Sequence, residues 1–342
     1  LNREIKNMLK YGIIGYGYWG PNLVRVFNQE RGSKVVSVVD TLAANRERVA
    51  SLYPGIRAES DARAVIDDPD IDVVVIATPI STHYSLARAA LQSGKHVVVE
   101  KPLCTNVDEA SELVDLAAKR NRQIFVDHTF VYTGAIQKIY SLIGSGDLGK
   151  TLYYDSTRVN LGLYQRDANV IWDLAVHDLA ILLRIFPDRP EAVSAISADP
   201  LNVGIPGIAY VTLHYPGDVV AHIHASWMSP VKIRQVLIGG HKSMILYDDL
   251  SPSEKVRIYD KGVDLSRDPA SESSMRVEYR VGGMSAPQIP SQEALAVMAK
   301  HANDCFSANR APITDGEMGL NVVRLLDLAD RSARNNGEML RV

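Results

Sequence analysis

"KYGIIGYGYWGPNLVRVF", residues 10–27, sets how the chain begins to fold. A short strand-like run ends at Gly15. Gly15, Gly17 and Gly20 then follow in GxGxxG spacing, and a helical pattern opens at Pro21. In that setting each glycine has a task. Gly15 permits a tight turn, and Gly17 lets the backbone come close to a pyrophosphate. Gly20 lets helix and strand pack, with the helix N-terminus facing the phosphates. Tyr18 and Trp19 lie within the same turn and count with its ligand contacts. The next strand-like run, "KVVSVVD" (34–40), ends in Asp40. That is about 20 residues past the last glycine, where a carboxylate would accept hydrogen bonds from adenosine ribose hydroxyls. A 2'-phosphate would meet that carboxylate, with neutral Thr41 beside it. Arg46 and Arg48 fall on the following helix and read as solvated surface. NAD is therefore expected rather than NADP.

Outward from this stretch the rhythm persists. "DVVVIAT" (72–78), "HVVVE" (96–100) and "QIFVDH" (123–128) alternate with helical patterns from Asn45, His83 and Val107. Runs that are apolar almost without alternation suit a parallel sheet covered by helices on both faces. The expected fold class is α/β, with residues 1–128 forming a doubly wound, parallel NAD-binding Rossmann domain. After about residue 130 a helix, a long strand (150–162) and a second helix (170–186) lead into strands joined by turns, and two helices close the chain. Residues 129–342 are expected to be an α+β substrate-binding and oligomerisation domain on a large, mostly antiparallel open sheet. The stretch "DPASESSMRVEYRVGGMSAPQIPSQ", from Asp268, reads as the most loop-like.

At 342 residues, two domains are the natural division. A net charge of -3 gives no reason to expect nucleic acid or an anionic membrane. No apolar run approaches the roughly 18 to 20 residues a spanning helix needs, and "LNREIKNMLK" lacks the apolar block of a secretory signal. Cys104 and Cys305 stand far apart in sequence, which suits two free thiols in a reducing cytoplasm. A cytoplasmic protein is expected.

Ligands of an open α/β sheet bind beyond the carboxyl ends of its strands. Thr78, Pro79 and His83 of "ATPISTH" (77–83) and Glu100 and Lys101 of "VVVEKP" (97–102) fall at that edge and are expected on the cofactor side. The Lys101 ammonium would stand by the nicotinamide half, able to hold a substrate oxygen and stabilise negative charge on it. Pro102 gives that lysine a defined direction. In "WDLAVHDLA" (172–180), Asp173 and His177 are four residues apart, on one face of a helix. Carboxylate plus imidazole makes a general base near neutral pH. Asp178 points elsewhere and reads as structural. In "YYDSTRVNLG", Ser156, Arg158 and Asn160 share one strand face. Arginine suits a carboxylate or phosphate and asparagine suits hydroxyls. Arg158, Asn160 and Trp172 join Lys101, Asp173 and His177 as expected substrate contacts. His222 and His224 in "AHIHASW" lack a third ligand nearby in sequence, and no metal is expected.

A glycine turn after the first strand, an "ATP…H" strand end, an "EKP" tripeptide and a later D-x-x-x-H helix together resemble the glucose–fructose oxidoreductase / inositol dehydrogenase / MocA family. The likeness runs over nearly the whole chain. It implies NAD(P)-dependent oxidation or reduction of a carbinol on a sugar, cyclitol or nucleotide-linked sugar. Lys101 would contact the reacting hydroxyl, His177 exchange its proton, and Asp173 orient His177 or touch substrate, which would lie between the domains. Ala175 and Ala180 stand where members often carry glycine and a second aspartate, and this leaves the substrate open. "WDL…HDL" with "STRVNLG" upstream resembles members associated with nucleotide sugars and surface polysaccharide, so a UDP-sugar dehydrogenase is the first expectation. A free-cyclitol or free-sugar dehydrogenase is the alternative. A dinucleotide-binding sensor without turnover is the alternative from another class. The resemblance also implies a homodimer or homotetramer built through the C-terminal sheet.

Overall fold

Val73–Ile76 shows why the first sheet is parallel: four successive β-branched residues, all buried, leave neither face for water. The computed structural model describes residues 8–342 apart from 163, 165–167 and 268–274. In it β1 (Leu9–Ile14), β2 (Ser33–Val39), β3 (Arg57–Glu59), β4 (Val73–Ile76), β5 (His96–Glu100) and β6 (Ile124–Asp127) alternate with helices. These are α1 (Gly20–Gln29), α2 (Ala43–Leu52), α3 (Arg63–Ile66), α4 (His83–Gln92) and α5 (Val107–Arg120). Among the described residues the strands lie in the order β3-β2-β1-β4-β5-β6, every pairing parallel. The order reverses between β1 and β4, the crevice where such sheets take ligands. β3 and α3 lack any strong periodic signal in the sequence and were not anticipated.

The second sheet follows α6 (Gly134–Gly144). It comprises β7 (Thr151–Leu161), then, after a π-helical turn at Ile171–Ala175 and α7 (Val176–Ile185), β8 (Ala192–Ala198), β9 (Ile208–Tyr215), β10 (Val219–Ser226), β11 (Met228–Gly240), β12 (Met244–Asp248), β13 (Val256–Arg267) and β14 (Met275–Ser285). After α8 (Ala294–Ser307) and α9 (Gly316–Arg334), β15 (Leu340–Arg341) joins its edge. Among the described residues this sheet has nine strands, antiparallel except for β7 beside β10. Burial alternates along β9 and β10, so one face is core and the other open. The segment from Asp268, expected to be loop, is partly strand: β14 pairs antiparallel with β13, while 268–274 lie outside the described residues.

Two compact units result, one of residues up to Thr133 with Gln292–Asp327, the other of Gly134–Ser291 with Leu328–Val342. A boundary at 128/129 would assign all of 292–327 to the second domain. That segment instead carries α8, which packs in the first unit. Asn303 accepts a hydrogen bond from the buried Tyr11 hydroxyl (3.2 Å), Glu293 pairs with Arg25 (2.9 Å), and Phe306 stacks on His96 (4.9 Å). Among the described residues no helix is long and apolar enough to cross a membrane.

Candidate active site

In the first unit the glycine turn is built as the spacing demands. Gly15 has φ +99, and a Cβ there would sit 2.4 Å from the Ala77 carbonyl oxygen. A Cβ on Gly20 would sit 2.3 Å from the Gly15 oxygen. Gly17 differs: nothing lies within 4 Å of where its Cβ would be, so the backbone there faces open space. Beside it runs a groove of about 520 Å³ whose walls include Gly15, Gly17, Asp40, Asn45, Thr78 and Pro79. A dinucleotide fits this frame, its pyrophosphate over Gly17 at the α1 N-terminus and its adenosine toward Asp40. Tyr18 and Trp19 stand exposed on the turn, edge to face at 5.5 Å.

Asp40 does more than await a ribose. Its carboxylate accepts from the Tyr16 N–H (2.7 Å), the Leu42 N–H (2.8 Å) and Asn45 Nδ2 (3.1 Å), binding the β2 end to the glycine turn. A carboxylate has about four lone-pair positions, so room remains for a ribose hydroxyl. Arg46 is not simply solvated surface. Its Nη1 donates to the carbonyls of Asp40 (2.8 Å) and Thr41 (2.9 Å), setting a cation at the same strand end.

At the β4 and β5 ends the side chains divide. His83 is buried and is not a wall of the groove. Its two ring nitrogens lie 3.0 Å from the carbonyl oxygens of Pro102 and Thr78, lashing the two strand ends together. Burial, and then the Lys101 charge, hold its pKa down, against the pull of the two carbonyls. Glu100, expected toward the cofactor, is buried and lies directly opposite Asp127 in the pairing of β5 with β6. Lys101 is half-buried at the strand edge, its peptide bond to Pro102 cis. Its charge acts on Glu100, Asp127, His83 and His128.

In the second unit, Asn169 caps the helical segment, its Oδ1 accepting from the N–H groups of Ile171 (3.0 Å) and Trp172 (3.3 Å). The first turn is π-helical rather than α-helical, so the i, i+4 geometry expected for Asp173 and His177 does not apply as drawn; π-turns are frequent at functional sites. Trp172, Asp173 and His177 are all half-buried. Asp173 Oδ2 accepts a hydrogen bond from Trp227 Nε1 at 3.0 Å. Trp227 sits just past β10. A Cβ on Gly162 would meet both its ring (2.8 Å) and the Asn160 side-chain nitrogen (3.2 Å), which brings Asn160, Trp227 and Asp173 together. Trp227 was not singled out from sequence, although a buried indole N–H generally needs an acceptor.

Arg158 is placed differently from expectation. It is 3% exposed, its Nε 2.7 Å from Asp178 Oδ2. Tyr154 and Ser156 donate to Asp178 Oδ1 at 3.0 and 2.7 Å. The face shared by Ser156 and Arg158 is thus an interior one, closing on α7. His222 and His224 flank Tyr210 on the second sheet, with His224 stacked at 4.5 Å. Among the described residues no group of three or more His, Cys, Asp or Glu could hold a metal ion.

Residues 9–128 match the family model for an oxidoreductase family with an NAD-binding Rossmann fold, and residues 136–246 match that of the GFO/IDH/MocA C-terminal domain. The scyllo-inositol 2-dehydrogenase (NADP(+)) IolW of Bacillus subtilis (strain 168) is 26% identical over 97% of this chain and 96% of its own. Among solved structures, an inositol dehydrogenase homolog from Azotobacter vinelandii, complexed with NADH and myo-inositol, superposes with a TM-score of 0.82 at 20% identity, over 99% of both chains. The UDP-N-acetylglucosamine 3-dehydrogenase GnnA from Acidithiobacillus ferrooxidans gives 0.80 at 24% identity, over 96% of this chain and 98% of that one. These two likenesses concern the fold.

Proposed function

The chain belongs to the GFO/IDH/MocA oxidoreductases, with an NAD-binding Rossmann domain, and from that premise we propose that it exchanges a hydride between NAD and a secondary hydroxyl or ketone of a free cyclitol or sugar. The observation that carries this reading is the likeness to a cyclitol dehydrogenase along 97% of the chain. The burial of Arg158 against Asp178 favours an uncharged polyol over a nucleotide sugar, since it removes the cation expected to meet a phosphate. The nucleotide-sugar reading stands second, supported by the fold shared with the UDP-N-acetylglucosamine 3-dehydrogenase.

When bound, the nicotinamide supplies the hydride acceptor. The rest falls to the chain. Lys101 hydrogen-bonds the reacting oxygen and stabilises charge developing on it. His177 takes the hydroxyl proton as general base. Asp173, its carboxylate held by Trp227, orients His177 or a substrate hydroxyl, and Asn160 and Trp172 contact the ring. Chains pair through the open face of the second sheet.

NAD reduction assayed against inositols, free sugars and UDP-sugars tests the reading. Turnover is expected on an inositol or free sugar, and Lys101→Ala and His177→Ala each lower kcat by about 100-fold or more. Near-parental rates in both variants would overturn the assigned roles. Faster turnover on a UDP-sugar would select the second reading. Tight NAD binding with no hydride transfer on any substrate would make the protein a dinucleotide sensor.

A further inference from the structure

At the end of β2 the Asp40 carboxylate is already largely engaged. Oδ2 accepts from the Tyr16 N–H at 2.7 Å and from Asn45 Nδ2 at 3.1 Å, and Oδ1 accepts from the Leu42 N–H at 2.8 Å. With two lone pairs on each oxygen, Oδ2 is full and Oδ1 has one place left. Two of the three donors are backbone N–H groups. The carboxylate therefore cannot swing round to free a second place without unpairing the glycine turn or the start of α2. An adenosine ribose carries two hydroxyls, and Asp40 can accept only one of them.

The other hydroxyl needs its own acceptor, and Asn45 offers one. It is half-buried on the wall of the same groove, as Asp40 is. A carboxylate has no hydrogen to give, so the bond between them must come from the amide nitrogen, and this fixes which end of the Asn45 amide is oxygen. Oδ1 is left as an acceptor. Nor is Asn45 needed to cap its helix. It is the third residue of α2, from which a side chain can reach back to the N–H of the residue before the helix. That N–H belongs to Leu42 and is taken by Asp40 Oδ1. Arg46, next along, is turned to the backbone. Its Nη1 donates to the carbonyls of Asp40 and Thr41, and it is not a wall of the groove.

We propose that Asn45 is the second ribose-reading residue of the dinucleotide groove: Asp40 Oδ1 takes one hydroxyl of the adenosine ribose, and Asn45 Oδ1 takes the other. The hydrogen bond between the two side chains holds them as an acceptor pair that fits a free diol. An ionised 2'-phosphate has only acceptors to offer, so both members of the pair turn it away. The inference rests on NAD lying in this groove and is independent of turnover.

Calorimetric titration of the full chain tests it with three ligands: NAD, and the analogues of NAD whose adenosine ribose lacks the 2'- or the 3'-hydroxyl. Asn45→Ala is expected to weaken NAD by about three- to tenfold, the usual worth of one hydrogen bond. That loss should vanish with one analogue and persist with the other, because a variant and a ligand that lack the two halves of one bond lose nothing further together. Asp40→Ala should show the opposite pattern. An unchanged NAD affinity in Asn45→Ala, or the same loss on all three ligands, would overturn the proposal. So would losses that vanish on the same analogue in both variants, since Asn45 would then act only by holding Asp40. If Asp40→Ala does not fold, the Asn45→Ala comparison decides alone. A parent that binds no NAD would remove the dinucleotide reading of the groove and the proposal with it. A parent that binds NAD without hydride transfer would sink the catalytic reading and leave these results as they stand.

Discussion

Gly15 and Gly17 look alike in the motif and differ in what they hold apart. Gly15 sits in left-handed backbone against the Ala77 carbonyl, so its lack of a side chain serves the fold. Gly17 faces open space, so its lack of a side chain serves the ligand. Gly17→Ala should fold as the parent does and weaken NAD binding by roughly tenfold or more, a methyl group standing where the pyrophosphate must approach. Gly15→Ala should cost about 2 kcal/mol of stability. Urea denaturation and calorimetric NAD titration separate the two effects, and equal loss of stability in both would refute the distinction. At this scale sequence spacing was a good guide to the glycine turn, where Gly15 takes the left-handed backbone and Gly20 the close approach that the motif implies. It failed where a polar side chain can turn either way. His83, Glu100 and Arg158 were all expected toward a ligand; His83 and Arg158 instead satisfy buried partners, and Glu100 is buried opposite Asp127. Which side of a strand end is interior depends on what packs there, and no local pattern states it.

β7 and α7 are held by a buried polar clamp, with Tyr154, Ser156 and Arg158 of the strand converging on Asp178 of the helix. Removing one member of a buried ion pair leaves a charge without its counter-charge. Arg158→Leu should therefore destabilise the protein by about 3–5 kcal/mol, and adding Asp178→Leu should recover a large part of that. Chemical denaturation of the single and double variants checks this, and a double variant no more stable than the single one would show the clamp to be more than charge balance. The helical segment carrying Asp173 and His177 was legible from its apolar period, and its ends were nearly so. Its π-helical first turn was not, because an extra residue in one turn leaves the hydrophobic pattern almost unchanged. β3 and α3 were invisible for a simpler reason: three and four residues are too few to show a period. β14 was hidden by serine- and glycine-rich composition, yet pairing with β13 along its length suffices to make it a strand.

For the whole molecule the outer face of the second sheet matters most. Register places Ile196, Tyr210, His224, Val220, Tyr153 and Leu237 on this one face. Ile196, Tyr210, Val220, Tyr153 and Leu237 are exposed. A face with these exposed apolar side chains set around Asp155, His222 and Thr212 suits burial against a second copy. Light scattering should give a dimer or tetramer for the parent, and Tyr210→Asp combined with Leu237→Asp should shift it to monomer with NAD affinity preserved. A monomeric parent at micromolar concentration would exclude the pairing. The two-sheet plan was readable in the change of rhythm near residue 130, from continuous apolar runs to alternation. The assignment of α8 was not, since its helical period says nothing about which core it completes.

That assignment bears on the order in which the protein can be made. Ribosomes release the chain from its first residue, so the glycine turn and all six parallel strands emerge long before Gln292. Until residues 303–306 appear, Tyr11 has no Asn303 for its hydroxyl, and Phe125 and His96 lack Phe306. The dinucleotide domain is first to be written and among the last to be finished. For much of its synthesis this chain carries an unclosed core, and the second sheet must be threaded out before the first can seal.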